Sequence, residues 1–385
     1  MGTIRIAIVA GEASGDLLGS HLVSALRERL PQAEFIGIAG PKMIAAGVQS
    51  LFPMEKLSVI GFHEVLRNLF SLLAMRRELK RKIVAFQPHV YIGVDAPDFN
   101  FGVERALRKR GIATVHFASP SIWAWRGSRI HKIKRAVDHM LVLYPFEKAI
   151  YDKAGIAATY VGHPMADTIP LEDKRVAVRE QLKLSLSAQV VALLPGSRRS
   201  ELHMHADLFV QTAQRLLALL PQVQFLVPLS TKETRRLFEE ALYRNQAQDL
   251  PLTILFGHAQ EAMAAADCVL VKSGTATLEA ALLKRPMVIT YRIPKITHFF
   301  VKRLFYLPYF GLPNVLAGRF IVPELMQDQA TPDNLAQALK TWLEDKDARA
   351  SLIAEFERMH IELRQNTAQR ASEAVLSILR TQGVC

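Results

Sequence analysis

Cysteine is scarce in this sequence, which has two: Cys268 inside an apolar run and Cys385 at the last position. A disulfide framework or a CxxC metal site needs more cysteines at closer spacing, so both are excluded. A run of about 18 uncharged apolar residues, which would indicate a membrane-spanning helix, is also missing. The N-terminal stretch MGTIRIAIVAGEASG lacks the charged segment and long apolar segment of a secretion signal. We therefore expect a protein of a reducing cytoplasm that is neither secreted nor membrane-spanning.

Positive charge, in contrast, is abundant. The sequence has 48 lysines and arginines against 36 aspartates and glutamates, a formal net charge of +12. This excess indicates an anionic partner, which could be nucleic acid, a phosphate-bearing substrate or an acidic membrane surface, and charge alone does not choose among them. The 385 residues, 50% of them hydrophobic, are enough for two domains with separate cores.

Short apolar runs alternate with longer segments of helical period along most of the chain. Examples are IRIAIVAG followed by GDLLGSHLVSALRERL in the first half, and VVALLPG, FLVPLS and CVLVKSG in the second. This alternation predicts an α/β fold with parallel sheets. The irregular segment GHPMADTIPLEDK interrupts it, so we predict two domains, 1–165 and 166–345, with a boundary near residues 163–173.

The chain ends in further segments of helical period. In TPDNLAQALKTWLED, Thr331 is suited to cap a helix and Pro332 to occupy its first position. We expect the helices of residues 346–385 to pack back on the first domain or on a partner subunit.

Ligands of parallel α/β sheets bind beyond the carboxyl ends of the strands, where loops and helix N-termini converge. The first such point is GEASGD, residues 11–16, whose small residues let a ligand approach the backbone. A plain turn with Ser14 or Asp16 as helix cap explains this motif equally well. The spacing is not G-x-G-x-x-G, the next strand ends without an acid for a ribose, and no G-x-x-x-x-G-K-[ST] loop occurs. These absences argue against a dinucleotide cofactor and against a P-loop.

Two strand exits in the second half have the composition of a phosphate site. In LLPGSRRSEL, Gly196 and Ser197 can bring N–H groups to a phosphate, and Arg198 adds a forked cation. The other exit has small and hydroxyl residues at a helix start: Ser273, Gly274 and Thr275. Glu279, one turn inside that helix, can chelate two ribose hydroxyls. The alternatives are a turn with solvated arginines and an acid that complements the helix dipole. Because both exits lie in one half, we favour a nucleoside diphosphate site without a metal.

Six motifs, GEASGD, DAPDFN, SPSIWAWR, LLPGSR, SGTATLE and LPNVLAGR, span nearly the whole chain in this order. Together they resemble the lipid-A-disaccharide synthase family. The resemblance implies an inverting glycosyltransferase with two facing Rossmann-like domains, the GT-B architecture, and no cofactor. It also implies that 2,3-diacylglucosamine passes from its UDP derivative to the 6-hydroxyl of 2,3-diacylglucosamine 1-phosphate. The products would be UDP and the lipid A disaccharide 1-phosphate from which lipopolysaccharide of the Gram-negative outer membrane is made.

The motif DAPDFN supplies a candidate general base. Inversion requires the acceptor hydroxyl to lose its proton as it attacks the anomeric carbon, and a positioned carboxylate can take that proton. We favour Asp98, which the sequence places at the N-cap of a helix beginning near Phe99, and expect Asp95 to be structural. Simple capping is the alternative for Asp98, and the resemblance decides for the base. Arg198 and the helix N-termini of the phosphate site would stabilise the leaving diphosphate.

The remaining candidate residues make up a predicted pocket for the acceptor or the donor sugar. They are Glu12, Ser14, Gly15, Asp16, Ser121, Trp123, His163 and Asn314. For the tryptophans of SPSIWAWR, anchoring the domain core is an equal alternative. A lone histidine such as His163 is more often structural than a ligand.

Two segments combine apolar residues with cations. One is IGFHEVLRNLFSLLAMRRELKRK, which has a basic end, and the other is KITHFFVKRLFYLPYF from Lys295. A core helix with a solvated polar face is the alternative for each. Because the implied substrates are acylated, we expect peripheral attachment to the anionic inner membrane. The expected membrane or acyl contacts are Val65, Leu66, Leu69, Phe70, Leu72, Leu73, Arg76 and Arg77.

Two other functions compete with the transferase. A UDP-sugar epimerase of the same fold would share the phosphate and ribose loops but has no use for the two lipid-facing segments. A basic RNA-binding protein would explain the charge, yet RNP, KH and helix-turn-helix signatures are missing from the sequence. Dependence on an acceptor separates the transferase from the epimerase. The sequence also allows a homodimer and an exchange of C-terminal helices between subunits.

Overall fold

The structure, a computed structural model, describes residues 3–57, 62–294 and 305–384 and, in the helix that begins at Phe62, side chains from Ser71 onward. The chain divides into two compact units. The first comprises Met1–Asp167 and Glu362–Cys385, and the second comprises Thr168–Ile361. Each unit is an α/β domain built on a parallel sheet, which confirms the fold predicted from the alternation of apolar runs.

The first unit contains a seven-stranded parallel sheet of order β3-β2-β1-β4-β5-β6-β7. Its strands are β1 (Arg5–Ala10), β2 (Glu34–Ala39), β3 (Gln49–Pro53), β4 (Val90–Val94), β5 (Ala113–Phe117), β6 (His139–Val142) and β7 (Ala157–Tyr160). Strands β4 and β5 are buried along their whole length and β1 along nearly all of it, as expected where helices cover both faces. Because β1, β4 and β5 are neighbours, the motifs GEASGD, DAPDFN and SPSIWAWR that follow them meet at one edge of the sheet.

Helices follow most strands of the first unit. They are α1 (Ala13–Arg29), α2 (Pro41–Ala45), α3 (Phe62–Phe86), α4 (Pro97–Arg108), α5 (Ile130–Lys134), α6 (Pro145–Lys153) and, at the boundary between the units, α7 (Pro164–Thr168). Four of these helices begin with proline, at Pro41, Pro97, Pro145 and Pro164. Proline suits this position because its missing N–H is not needed in the first turn.

The second unit contains a six-stranded parallel sheet of order β10-β9-β8-β11-β12-β13. Its strands are β8 (Gln189–Leu194), β9 (Val223–Leu229), β10 (Leu252–Phe256), β11 (Cys268–Lys272), β12 (Met287–Tyr291) and β13 (Glu324–Met326). Strands β8 and β11 are paired in parallel, with Leu194 opposite Val271. The motifs LLPGSR and SGTATLE therefore lie side by side at the carboxyl edge of this sheet.

The helices of the second unit include the predicted capped helix. They are α8 (Arg175–Gln181), α9 (Arg199–Leu219), α10 (Lys232–Arg244), α11 (Ala259–Ala265), α12 (Ala276–Leu282), α13 (Leu312–Ala317) and α14 (Pro332–Glu344). Helix α14 begins at Pro332, and the Thr331 hydroxyl accepts a hydrogen bond from the N–H of Asn334. This arrangement confirms the cap predicted from the sequence.

The last two helices, α15 (Lys346–Leu363) and α16 (Thr367–Thr381), divide between the units. In α15, Leu352, Phe356 and Met359 are buried in the core of the second unit. Helix α16 instead packs on α1 and contributes to the core of the first unit. Residues 346–361 thus belong to the second unit, which differs from the expectation that all of 346–385 leaves it. The apolar face of α15 explains the difference.

Candidate active site

A cavity of about 390 Å³ lies at the carboxyl edge of the second unit's sheet. The structure brings six predicted nucleotide-site residues together around it: Gly196, Ser197, Arg198, Ser273, Gly274 and Thr275. The rest of the lining comes from the ends of β8, β9 and β11, from the residues after β9 and β10, and from the start of the following helices: Leu194, Glu201, Pro228, Ser230, Gly257, Ala259, Lys272 and Ala276. The loops after β8 and β11, whose paired residues are 77 positions apart in the sequence, thus line the same cavity.

The loop between β8 and α9 borders this cavity and is held in place by Glu201. Gly196 has a φ of +132°, and a Cβ at this position would lie 2.5 Å from the Cβ of Glu201. Glycine is therefore required both by the backbone and by the close approach of a side chain. The N–H groups of Ser197 and Arg198 donate to Oε2 of Glu201, at 2.9 and 3.3 Å.

Arg198 is placed to meet an anion. Its side chain is exposed, lines the cavity and makes no ion pair with any residue that the structure describes. The next residue, Arg199, does have an ion-pair partner, because its Nε lies 3.5 Å from Oε1 of Glu233. A guanidinium without a carboxylate partner at the edge of a cavity is suited to a phosphate.

Glu201 and Lys272 are cavity residues that the sequence analysis missed. Glu201 Oε1 accepts a hydrogen bond from Lys272 Nζ at 2.9 Å. Burial raises the pKa of Glu201, but the hydrogen bonds from Lys272 and Ser197 outweigh burial and leave the pKa below its ordinary value. The Lys272 ammonium also lies 5.0 Å from the centre of the Tyr291 ring. A glutamate three positions into a helix was the signal available in the sequence, since such a residue often folds back onto the preceding backbone.

Glu279, the predicted ribose ligand, lies on α12 one turn beyond Thr275. Its side chain is partly buried, and burial, followed by the nearby Glu261, raises its pKa. Among the residues that the structure describes, it has no hydrogen-bond or ion-pair partner. A partly desolvated carboxylate of this kind can accept hydrogen bonds from hydroxyl groups.

In the first unit, Asp98 is the second residue of α4 and not its N-cap. The N-cap is Ala96, so the predicted capping position is wrong by two residues. Asp98 instead accepts two hydrogen bonds from Arg129. The carboxylate remains 85% exposed while the arginine side chain is 19% exposed. Arg129, whose guanidinium carbon lies 5.9 Å from the centre of the Trp125 ring, was not predicted.

The turn that presents Asp98 is strained. Asp95 and Ala96 both have positive φ, +51° and +44°, which is unusual for consecutive residues other than glycine. The side chain of Asn100 stabilises this turn by donating to the Asp95 carbonyl at 2.8 Å. Asn100 in turn accepts a hydrogen bond from the Tyr91 hydroxyl at 2.8 Å. Backbone strain held in this way is typical of functional sites.

The motif GEASGD packs directly against that turn. A Cβ on Gly11 would lie 2.6 Å from the Cβ of Ala96, so only glycine fits there. Glu12 and Ser14 are exposed at the start of α1, and Gly15 lies against β4 and Asp95. These residues are therefore near Asp98 in the fold.

Two of the predicted pocket residues have structural contacts instead. Asp16 is 3% exposed, and its carboxylate accepts hydrogen bonds from the N–H groups that begin α2: Gly40, Lys42 and Met43. Asn314 lies in the second unit, is fully buried and bonds Glu324 and the backbone of Ile321 and Val322. These contacts fully occupy both side chains, so we no longer assign either to a substrate pocket.

Trp123 and His163 belong to an aromatic cluster in the first unit. The Trp123 ring lies edge-on to Phe146 at 5.4 Å, and Tyr144 stacks on His163 at 5.7 Å. Burial lowers the pKa of His163 to about 4, so the ring is neutral at neutral pH. Ser121 is exposed in the turn before this cluster.

Residues 6–379 of the sequence match the lipid-A-disaccharide synthetase family. It is 58% identical to the lipid-A-disaccharide synthase of Methylobacillus flagellatus, over 97% of this chain and 99% of that one. It is 55% identical to the protein of the same name from Dechloromonas aromatica, over 98% and 99%. This chain belongs to the lipid-A-disaccharide synthetase family.

Members of the lipid-A-disaccharide synthetase family are glycosyltransferases of lipid A biosynthesis, and this chain is one of them. Solved structures agree on the fold. The calicheamicin glycosyltransferase CalG4 covers 99% of this chain and 100% of its own length at a TM-score of 0.63 and 15% identity. The UDP-GlcNAc 2-epimerase of Neisseria meningitidis, solved with UDP-GlcNAc, covers 98% of this chain and 100% of its own length. Its TM-score is 0.61 and its sequence identity is 11%. Transferases and epimerases share this fold, and the family membership decides against an epimerase or an RNA-binding protein.

Among the helices that the structure describes, none is long and apolar enough to cross a membrane. In α3, Leu72 is half-buried, Leu73 is 43% exposed and Arg77 is exposed, whereas Arg76 lies against Gly102 of α4. The side chains of Val65, Leu66, Leu69 and Phe70, and residues 295–304 of the second apolar segment, lie outside the described residues.

Proposed function

We propose that this protein transfers 2,3-diacylglucosamine from its UDP derivative to the 6-hydroxyl of 2,3-diacylglucosamine 1-phosphate, with inversion and release of UDP. Membership of the family supports the reaction class. The observation that carries the donor assignment is the cavity of the second unit, where the β8–α9 loop, Arg198 and the start of α12 converge. In this assignment the second unit binds the UDP-sugar and the first unit binds the acceptor.

The donor diphosphate is held by the loop of Gly196 and Ser197, by the Arg198 guanidinium and by the turn of residues 273–275. As the bond to the anomeric carbon breaks, negative charge builds on the diphosphate, and these donors and cations stabilise it. The Glu279 carboxylate accepts hydrogen bonds from the ribose hydroxyls.

Asp98 takes the proton from the acceptor 6-hydroxyl while that oxygen attacks the anomeric carbon. Three features support this role: the carboxylate is exposed, it is oriented by Arg129, and it lies on a strained turn against GEASGD. The exposed Glu12 and Ser14 and the Trp123 cluster are the candidate contacts to the acceptor sugar and its acyl chains.

Peripheral attachment to an anionic membrane is the second part of the proposal. It is supported by an open groove of about 750 Å³ between α3 and α4, lined by five cations: Arg77, Lys80, Arg81, Lys109 and Arg110. Burial is the main cause that lowers the pKa of Lys80, and repulsion by the nearby Arg76, Arg110 and Arg77 lowers it further. An anionic headgroup relieves that repulsion, at about 1 kcal/mol per cation near the surface.

UDP release in detergent micelles tests the transfer reaction. The wild-type protein is given the donor with and without the acceptor, beside Asp98→Asn and a control, Asp152→Asn, which removes another exposed aspartate with a cationic partner in the same unit. We expect release that requires the acceptor and falls about 100-fold or more in Asp98→Asn only. Release independent of acceptor would overturn the transfer reaction, and an active Asp98→Asn would overturn the base.

Flotation with vesicles tests the membrane proposal. We expect the wild-type protein to float with vesicles that contain anionic phospholipid and not with zwitterionic ones. Arg77→Glu with Arg110→Glu should abolish flotation, whereas Arg236→Glu on helix α10 of the second unit should not. Equal flotation of both variants would show that the groove is not the membrane contact.

A further inference from the structure

Glu201 and Lys272 join the two halves of the cavity in the second unit. Glu201 lies in the first turn of α9, Lys272 ends β11, and their side chains are 17% and 16% exposed. One carboxylate oxygen bonds the Lys272 ammonium, and the other bonds the N–H groups of Ser197 and Arg198. A single glutamate therefore fixes both the loop and the cation that line the cavity.

This arrangement has an electrostatic consequence when an anion enters. A phosphate bound near Ser197 and Arg198 lies close to the Glu201 carboxylate, and two negative charges at contact distance in a partly desolvated site repel each other. A cation beside both groups offsets that repulsion. Lys272 lines the cavity and is already bonded to Glu201, so it occupies such a position.

The Lys272 ammonium group can donate more hydrogen bonds than Glu201 accepts. It carries three N–H bonds, and Glu201 takes one of them at 2.9 Å. The face of the Tyr291 ring, 5.0 Å away, supports the ammonium without using a hydrogen-bond acceptor. Lys272 can thus bond Glu201 and a ligand oxygen at the same time.

We propose that Lys272 is a binding residue for the diphosphate of the donor nucleotide and that Glu201 is its positioning residue. Glu201 holds the ammonium at the cavity and shapes the N–H loop, while Lys272 shields the incoming phosphates from the Glu201 carboxylate. The proposal rests on the UDP-sugar site assigned above and adds to it two residues that couple the β8 and β11 exits.

This proposal predicts how UDP affinity changes when Lys272 is replaced alone and when Lys272 and Glu201 are replaced together. Lys272→Met removes the cation and leaves the Glu201 carboxylate facing the phosphates, so it should weaken UDP binding by about 10- to 100-fold. Glu201→Gln, introduced on top of Lys272→Met, removes the repelling charge and should recover UDP affinity several-fold. A purely structural pair gives the opposite pattern, because the second substitution then adds further damage.

Calorimetric titration with UDP, UMP and uridine tests this pattern. Both variants are compared with the wild type and with Arg235→Met, which removes a cation from an exposed ion pair on α10 in the same unit. We expect the loss in Lys272→Met to be largest for UDP and absent for uridine, and Arg235→Met to bind all three like the wild type. Lys272→Arg, which keeps the charge, should restore most of the UDP affinity.

The outcomes separate this inference from the proposed function. A wild-type protein that binds neither UDP nor UMP would overturn the donor site and the inference with it. If the wild type binds UDP and Lys272→Met binds it equally well, the donor site stands and Lys272 is not a ligand. Equal losses for UDP and uridine, or no recovery in the double variant, would also overturn the inference.

Discussion

Arg129 holds both carboxylate oxygens of Asp98, through hydrogen bonds of 2.9 and 3.1 Å between residues 31 positions apart. The arginine is largely buried and the aspartate is exposed, so the fixed partner orients the one that faces solvent. Trp125 lies beside the guanidinium and helps to hold it. Two segments that looked independent in the sequence, DAPDFN and SPSIWAWR with the turn that follows it, therefore act on one carboxylate.

Replacing Arg129 should change catalysis more than stability. In Arg129→Ala, Asp98 keeps its carboxylate but loses its orientation, and we expect kcat to fall by about 10- to 100-fold. The free energy of unfolding should change by less than about 1 kcal/mol, because the aspartate of this ion pair is exposed. Acceptor-saturated kinetics and urea unfolding measure the two effects. Unaltered kcat in Arg129→Ala would show that the ion pair does not position the base.

Two glycines of GEASGD should respond differently to alanine. At Gly11 the new Cβ would lie 2.6 Å from the Cβ of Ala96, so Gly11→Ala should lower the free energy of unfolding by about 1–3 kcal/mol. At Gly15 the nearest atoms lie at 3.4 Å or more, and the residue is helical, so Gly15→Ala should be neutral or stabilising by up to about 1 kcal/mol. Urea unfolding of both variants tests this contrast, which equal effects would contradict.

Asp16 should prove important for folding and not for binding. Asp16→Ala leaves the N–H groups of Gly40, Lys42 and Met43 without their acceptor, and we expect a loss of about 2–3 kcal/mol in the free energy of unfolding. Under conditions where the variant is folded, its KM for either substrate should equal that of the wild type. A raised KM for the acceptor would return Asp16 to the substrate pocket.

Glu147 should make stability fall as the pH rises. Burial raises the pKa of this glutamate from 4.5 to about 7, although the N–H of Tyr144 favours the charged form. Between those two pH values the folded protein holds a proton that the unfolded chain has released, so stability decreases with pH and levels off above about 7. Over this pH range the free energy of unfolding should fall by about 3 kcal/mol.

Glu147→Gln removes that titration and provides the comparison. Urea unfolding at pH 5 and pH 8 should show the variant gaining stability relative to the wild type as the pH rises. The lost charge-dependent contacts to the N–H groups of Leu143 and Tyr144 shift the curve without changing its slope. Parallel curves for the two proteins would mean that Glu147 ionises normally.

The sequence predicted what local patterns determine. Alternating apolar runs and helical periods predicted two parallel α/β units, and small residues after β8 and β11 predicted which residues line one cavity. Thr331 was correctly predicted as a cap because its partner is three residues away.

Contacts between distant segments could not be predicted in this way. The Asp16 carboxylate bonds the start of α2, 24 residues or more away, and Lys272 meets Glu201 across 71 residues. Asp98 was placed near the right helix start, but its arginine partner lies beyond another strand. Whether a polar side chain faces a ligand or a neighbouring backbone depends on the packed fold, which the order of residues along one motif does not reveal.

Because helix α16 belongs to the first unit but follows the second unit in the chain, the two units can complete their folding at different times during synthesis. The second unit is continuous from Thr168 to Ile361, whereas the core of the first unit includes Val375 and Leu379. A ribosome therefore releases every residue of the second unit before the first unit can close its own core, although the first unit's sheet is translated earlier. Until α16 docks on α1, the apolar surface beneath it is uncovered, so the first unit is completed only after the whole second unit has been made.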